Sequence, residues 1–161
     1  MDEARRQKVG EAIGKIASGM GVLTSADGER RTGVLVSWFQ QVSFVPPMVM
    51  VAVKKGRAIE GLIQGSRNFS LCMLAEDDND LMRHFSKGYD VDAEAFNGLA
   101  VETRATGSPV LTGSLAYVEC KLVSTCQGGD HDIFIGEVVD GAVLDGARRP
   151  MIHVRKTGLS Y

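Results

Sequence analysis

The chain is short of the residues that build cross-linked, disordered or nucleic-acid-binding proteins. Its three cysteines, Cys72, Cys120 and Cys126, are an odd number without CxxC spacing. That pattern argues against a disulfide framework or a zinc cage and for reduced thiols in a cytoplasmic protein. Four prolines among 161 residues keep the composition far from that of Pro/Gly-rich disordered chains. Charge of one sign is also missing: 18 basic against 20 acidic residues leave a net charge of −2. A nucleic-acid partner, which needs a positive excess, is therefore not expected. No apolar run approaches the ~18 residues that span a membrane. The start, Met1 to Arg6, has no apolar stretch behind it of the kind a signal peptide carries.

Several catalytic and nucleotide-binding signatures are absent too. There is no GxxxxGK[ST], HExxH or GxSxG. Gly19-Met20-Gly21 opens a GxG pattern but precedes a strand, the reverse of the dinucleotide-binding context.

What is present is glycine, 19 residues or about 12% against the usual ~7%. Apolar residues are 44% and charged residues 24%, ordinary for a globular chain. No linker or repeat interrupts it, so residues 1–161 read as one domain. Val9, Ala12, Ile13 and Ile16 recur at helical spacing, which predicts an amphipathic helix over residues 3–17 with these side chains inward. Strands are expected over 20–26, 32–39, 48–54, 68–74, 115–126, 133–139 and 151–155. Asp27-Gly28 supplies hairpin turn chemistry between the first two. Helices are expected from Arg57 to Gly65, and again near Asp78, carrying Leu81, Met82 and Phe85 inward. Many short strands at hairpin spacing with few helices predict a mainly β fold, an antiparallel β-barrel.

Four segments can carry chemistry. Ser37-Trp38-Phe39-Gln40-Gln41-Val42-Ser43 gathers the single tryptophan, two amides and two hydroxyls at a strand end. It reads either as a polar strand edge or as a wall for a planar heterocycle. Lys54-Lys55-Gly56-Arg57 places three cations around a glycine where a helix begins, either a solvated cluster or a phosphate site. His84 to Gly88 closes a helix, where a cation needs no ligand to explain it. Gly128-Gly129-Asp130-His131-Asp132 sets a histidine between two carboxylates on a glycine turn. This is either a plain hairpin tip or a proton-handling group oriented by its acids.

Together these segments resemble a known family. Val34 to Met48 and Val51 to Arg57 are similar to the FMN-binding core of the flavin reductase-like domain family. Gly129-Asp130-His131 and Gly136-Glu137-Val138 resemble that family's GDH…GEV strand pair. The resemblance runs from about Ile13 to Tyr161 and is similar to the flavin-reductase module of diflavin flavoproteins. It implies an FMN-binding split barrel, a homodimer with FMN at the subunit interface, and flavin reduction by NADH or NADPH. On the matching positions, Ser37, Trp38, Phe39, Gln40 and Gln41 would line the flavin ring, and Lys54, Lys55, Gly56 and Arg57 its phosphate. His131 would approach flavin and nicotinamide as the catalytic residue. Many relatives carry Thr or Ser two residues after the Arg57 position. Ile59 stands there, so the phosphate must rely on backbone N–H groups and the cations. The alternatives are an FMN electron carrier reduced by a redox partner protein, or a non-catalytic cofactor-binding barrel.

Overall fold

The computed structural model describes residues 1–91 and 94–160; Tyr161, where the resemblance ends, lies outside them. The chain forms α1 (Glu3–Gly14), β1 (Ser18–Gly19), β2 (Gly21–Asp27), β3 (Arg30–Val36), β4 (Phe39–Phe44), β5 (Pro47–Lys54) and α2 (Ala58–Ser66). There follow β6 (Asn68–Met73), α3 (Asn79–Ser86), β7 (Val101–Thr103), β8 (Pro109–Leu111), β9 (Ala116–Gln127), β10 (His131–Val143) and β11 (Ile152–His153). Seven strands form one antiparallel sheet in the order β3-β2-β6-β9-β10-β5-β4. The mainly β expectation of an antiparallel barrel holds.

The sheet's two edge strands, β3 and β4, are consecutive in the chain. Only Ser37 and Trp38 separate them, a span of roughly 10 Å at ~3.3–3.6 Å per residue. A link that short forces the edges together and curls the sheet into a barrel. At the crossing, the Ala52 N–H of β5 donates to the Trp38 carbonyl at 2.8 Å and continues the β4–β5 ladder. The expected continuous strand over 32–39 is therefore two strands with a break at Ser37-Trp38, because the chain must cross the seam there.

Both faces of β2 and β6 are buried, which explains their nearly continuous apolar runs. Alternation sends Leu23, Phe69 and Leu71 into the barrel with Val51, Val53, Ile59 and Phe134. It sends Val22 and Cys72 outward, against Phe85, Phe96, Val110 and Tyr117. Burial pushes the Cys72 thiol up to about 11 and the Cys120 thiol up to about 12. Both therefore behave as small apolar side chains.

The first helix departs from expectation. It ends at Gly14, and the side chains read as its inward face are not all covered: Ile13 is 36% and Ile16 66% exposed. The buried residues are Gly10 and Gly14. The Gly158 N–H donates to the Gly10 carbonyl at 2.7 Å and the Arg155 N–H to the Gly14 carbonyl at 3.1 Å. A Cβ at Gly14 would stand 2.7 Å from the Arg155 carbonyl oxygen. The helix thus presents bare backbone so that the C-terminal segment can lie against it.

Candidate functional site

The seam opens into a cleft of about 510 Å³, within the size range of small-molecule sites. One wall is the end of β3 with Ser37 and Trp38. The opposite wall is Ala52, Val53 and Lys54 of β5, and Met82, Phe85 and Ser86 of α3 close the side. Arg57, ahead of α2, completes the basic end with Lys54. A second hollow of about 410 Å³ lies beside it, lined by Lys54, Asp130, His131, Arg155 and residues 158–160. Trp38 and Lys54 border both.

His131 is the first residue of β10 rather than the tip of the turn. It pairs in register with Lys54 of β5 and is 6% exposed. Its Nδ1 lies 2.8 Å from Asp130 Oδ1. An ionised carboxylate only accepts, so Nδ1 carries the proton in this contact. The same contact holds the Asp130 carboxyl below the usual aspartate value. The imidazole packs against the Trp38 indole, with centroids 4.5 Å apart and planes at 40°. Asp132 lies one strand position further on and instead faces Lys55 at 3.6 Å, as alternation requires. The turn closes through the Gly128 N–H on the His131 carbonyl at 2.9 Å. A Cβ at Gly128 would come within 2.7 Å of that oxygen.

Ser37, Trp38, Lys54, Arg57 and His131 thus come together around the seam. Five other candidate positions line neither hollow. Phe39 turns back over Gly19, close enough that a Cβ there would touch its ring at 2.8 Å. Gln40 and Gln41 are exposed on the edge strand β4, and the Gln41 amide donates to the Ser43 carbonyl at 3.1 Å. Lys55 is tied to the histidine turn: its N–H donates to the Asp130 carbonyl at 3.0 Å and its ammonium to the Gly129 carbonyl at 3.0 Å. Gly56 adopts φ +84°, the left-handed region that favours glycine. Its N–H donates to Glu60 Oε2 at 2.7 Å, so a carboxylate of α2 already occupies part of the helix start. Ile59 is buried in the barrel core, which is why no hydroxyl stands at that position.

Three contributors were missed by sequence reasoning. On α3, Met82 was read as core alone and Ser86 as part of a helix end that needs no ligand, yet both line the cleft. His153 was read as an ordinary strand residue, although alternation on β11 turns it into the cleft while Ile152 points out. Arg155, with its guanidinium carbon 5.0 Å from the Trp38 ring centroid, has no local signal, because the contact joins distant parts of the chain. His84, by contrast, bonds the Ala95 carbonyl at 2.8 Å and stacks on Tyr89, a structural role that agrees with its reading.

The profile of the flavin reductase-like domain matches residues 13–158. The chain belongs to this family. It is 40% identical over 152 residues to diflavin flavoprotein A 1 of Synechocystis sp., covering 94% of this chain and 26% of that protein. A diflavin flavoprotein of Nostoc sp. is 38% identical over 152 residues, with the same coverage of each. This flavin reductase-like chain therefore spans about a quarter of the curated relatives it matches. Among solved structures, the NADH:FAD oxidoreductase of Streptomyces globisporus superposes with a TM-score of 0.85 at 26% identity, covering 96% of this chain and 91% of that one. The styrene monooxygenase flavin reductase of Pseudomonas putida superposes at 0.77 and 30% identity, covering 89% and 90%. A further structure of the Streptomyces protein holds NAD and FAD fragments.

The residues of the seam fit a flavin. The cleft is apolar along Val34, Val36, Ala52 and Val53, aromatic at Trp38, and cationic at one end through Lys54 and Arg57. That sequence of surfaces matches an aromatic ring system carrying a phosphate.

Proposed function

We propose that residues 1–161 act as one NAD(P)H-dependent flavin reductase unit that holds FMN in the seam cleft. The observation that carries this reading is the apolar cleft along Val34, Val36, Ala52 and Val53, bordered by Trp38 and by the Lys54 and Arg57 cations, with His131 packed on Trp38. A flavin held there would supply the hydride acceptor for oxidation of the nicotinamide. The chain's own residues bind, orient and shield. Trp38 and the valines of β3 exclude water from the ring, and Ser37 offers a hydroxyl at its edge. Lys54 and Arg57 neutralise the phosphate. His131, held by Asp130, positions the nicotinamide or holds a proton at Nε2.

The feature supporting FMN is that two cations, Lys54 and Arg57, line the same cleft as the apolar wall and can neutralise a phosphate. Anaerobic mixing with NADH and with NADPH tests the reading. Bleaching of the bound flavin by either is expected; no bleaching by both would leave the second reading. In that reading the bound flavin is reduced by a protein partner, an arrangement favoured by the diflavin flavoproteins in which similar stretches form about a quarter of the chain.

A twofold homodimer belongs to the same proposal. The hairpin between β4 and β5 projects Phe44, 86% exposed, and Val45, 92% exposed. An exposed apolar tip is a surface that a second copy would cover. A monomer mass in sedimentation with flavin bound would overturn it. Among the described residues no helix is long and apolar enough to cross a membrane, and the unpaired cysteines suit a reducing, cytoplasmic setting.

A further inference from the structure

The second hollow has a charge arrangement that the flavin reading does not use. Its fixed cations are Lys54 and Arg155, and its one carboxylate among the described residues, Asp130, is engaged by His131 Nδ1 at 2.8 Å. Lys54 is shared with the flavin cleft, so the residue that distinguishes this hollow is Arg155. Its position is set from both sides. The backbone is pinned to α1 by the N–H bond to the Gly14 carbonyl at 3.1 Å, an approach possible only because residue 14 has no side chain. The guanidinium lies over the Trp38 ring at 5.0 Å. Among the described residues no carboxylate pairs with it.

A half-buried guanidinium held over an aromatic ring, without an acidic partner among the described residues, is prepared for an external anion. Its planar fork suits phosphate oxygens, and stacking removes part of the rotamer freedom that binding would otherwise cost. The hollow touches the flavin cleft across Trp38, so a ligand occupying both sides of that indole can bring one end to the flavin while its tail stays outside.

We infer that Arg155 is a donor-binding residue that grips the phosphate-bearing tail of the dinucleotide in the second hollow, with the nicotinamide end at the Trp38–His131 pair. The inference rests on the proposed nicotinamide-dependent reduction and adds the residue that sets donor affinity. Arg155 does not contribute to flavin affinity in this arrangement, because it does not line the flavin cleft, where Lys54 and Arg57 supply the cations.

The test is calorimetric titration of the flavin-loaded protein with NAD⁺, which binds without turnover. Arg155→Ala is expected to weaken NAD⁺ about tenfold or more, the loss of one charge-assisted contact, and Arg155→Lys to restore part of it. FMN affinity, measured in parallel, should stay within about twofold. 1-Benzyl-1,4-dihydronicotinamide, which has no phosphate, should reduce the flavin of wild type and Arg155→Ala at equal rates. Unchanged NAD⁺ affinity in Arg155→Ala, or an equal loss of FMN affinity, would overturn the inference. So would an equally slowed reaction with the benzyl compound, which would make Arg155 a support of the C-terminal segment only. Failure of NADH, NADPH and the benzyl compound alike to reduce the wild-type flavin would instead overturn the underlying function.

Discussion

The rings of Trp38 and His131 lie 4.5 Å apart, tilted by 40°, although one sits in the crossing between the barrel's edge strands and the other begins β10. The indole limits the imidazole's rotation, and the Asp130 contact at Nδ1 sets its tautomer. A histidine so constrained has one orientation to offer a substrate. Replacing it should separate binding from turnover. His131→Ala is expected to retain flavin within a few-fold and to slow its reduction by NAD(P)H. The loss should be ~10²–10⁴-fold if the imidazole holds a reacting proton. Stopped-flow bleaching measures this, and an unchanged rate would remove His131 from the reaction.

The basic segment is expected to divide by function. FMN should bind about tenfold or more tightly than riboflavin, because one charge-assisted contact amounts to ~1.5–3 kcal/mol. Arg57→Ala and Lys54→Ala should narrow that ratio. Lys55→Ala should leave it in place, since the Lys55 ammonium is committed to the Gly129 carbonyl and faces Asp132. Paired titrations of both flavins decide; a ratio that collapses in Lys55→Ala contradicts the structure's placement of that side chain.

Two glycine substitutions should change stability in opposite directions. A Cβ at Gly136 would meet the Phe69 ring at 2.6 Å and Cys120 Cβ at 2.8 Å, inside a core without slack. Gly136→Ala should therefore cost ~1–3 kcal/mol. Gly61, on the exposed side of α2, has nothing within 4 Å of that position. Gly61→Ala should stabilise by ~0.5–1 kcal/mol through helix propensity. Denaturant midpoints compare the two directly.

Acid should expose the Asp130–His131 contact. The Asp130 carboxyl is lowered from its ordinary value of 3.8, first by the hydrogen bond from His131. A depressed carboxylate contributes stability above its unfolded value, and that contribution is lost as pH falls through the lower folded value. Wild type should therefore exceed Asp130→Asn in stability near neutrality, and the difference should close below about pH 4. A gap that stays constant through the acid range would show that ionisation of Asp130 has no part in it.

The order of short strands, their turn chemistry and the inward apolar positions were legible in the sequence, because alternation and glycine placement are local properties. So was the family, carried by the stretch from Val34 to Arg57 and by the GDH…GEV pair. The partition of the candidate residues was not. Lys54 and Lys55 are indistinguishable as letters, yet the last residue of β5 goes to the cleft and the next, already in the turn, to the histidine loop. Phe39 and Gln41 sit beside Trp38 in the chain, but only the two-residue crossing of the seam turns Trp38 toward His131. The first helix looked amphipathic by spacing, while its buried face is Gly10 and Gly14, since the surface it covers is the C-terminal backbone rather than a bed of side chains. Arg155 reaches Trp38 only because that backbone lies on the helix. Local chemistry set the elements, and closure of the barrel decided which side chains meet, because contacts across a seam depend on register and curvature that no single segment encodes.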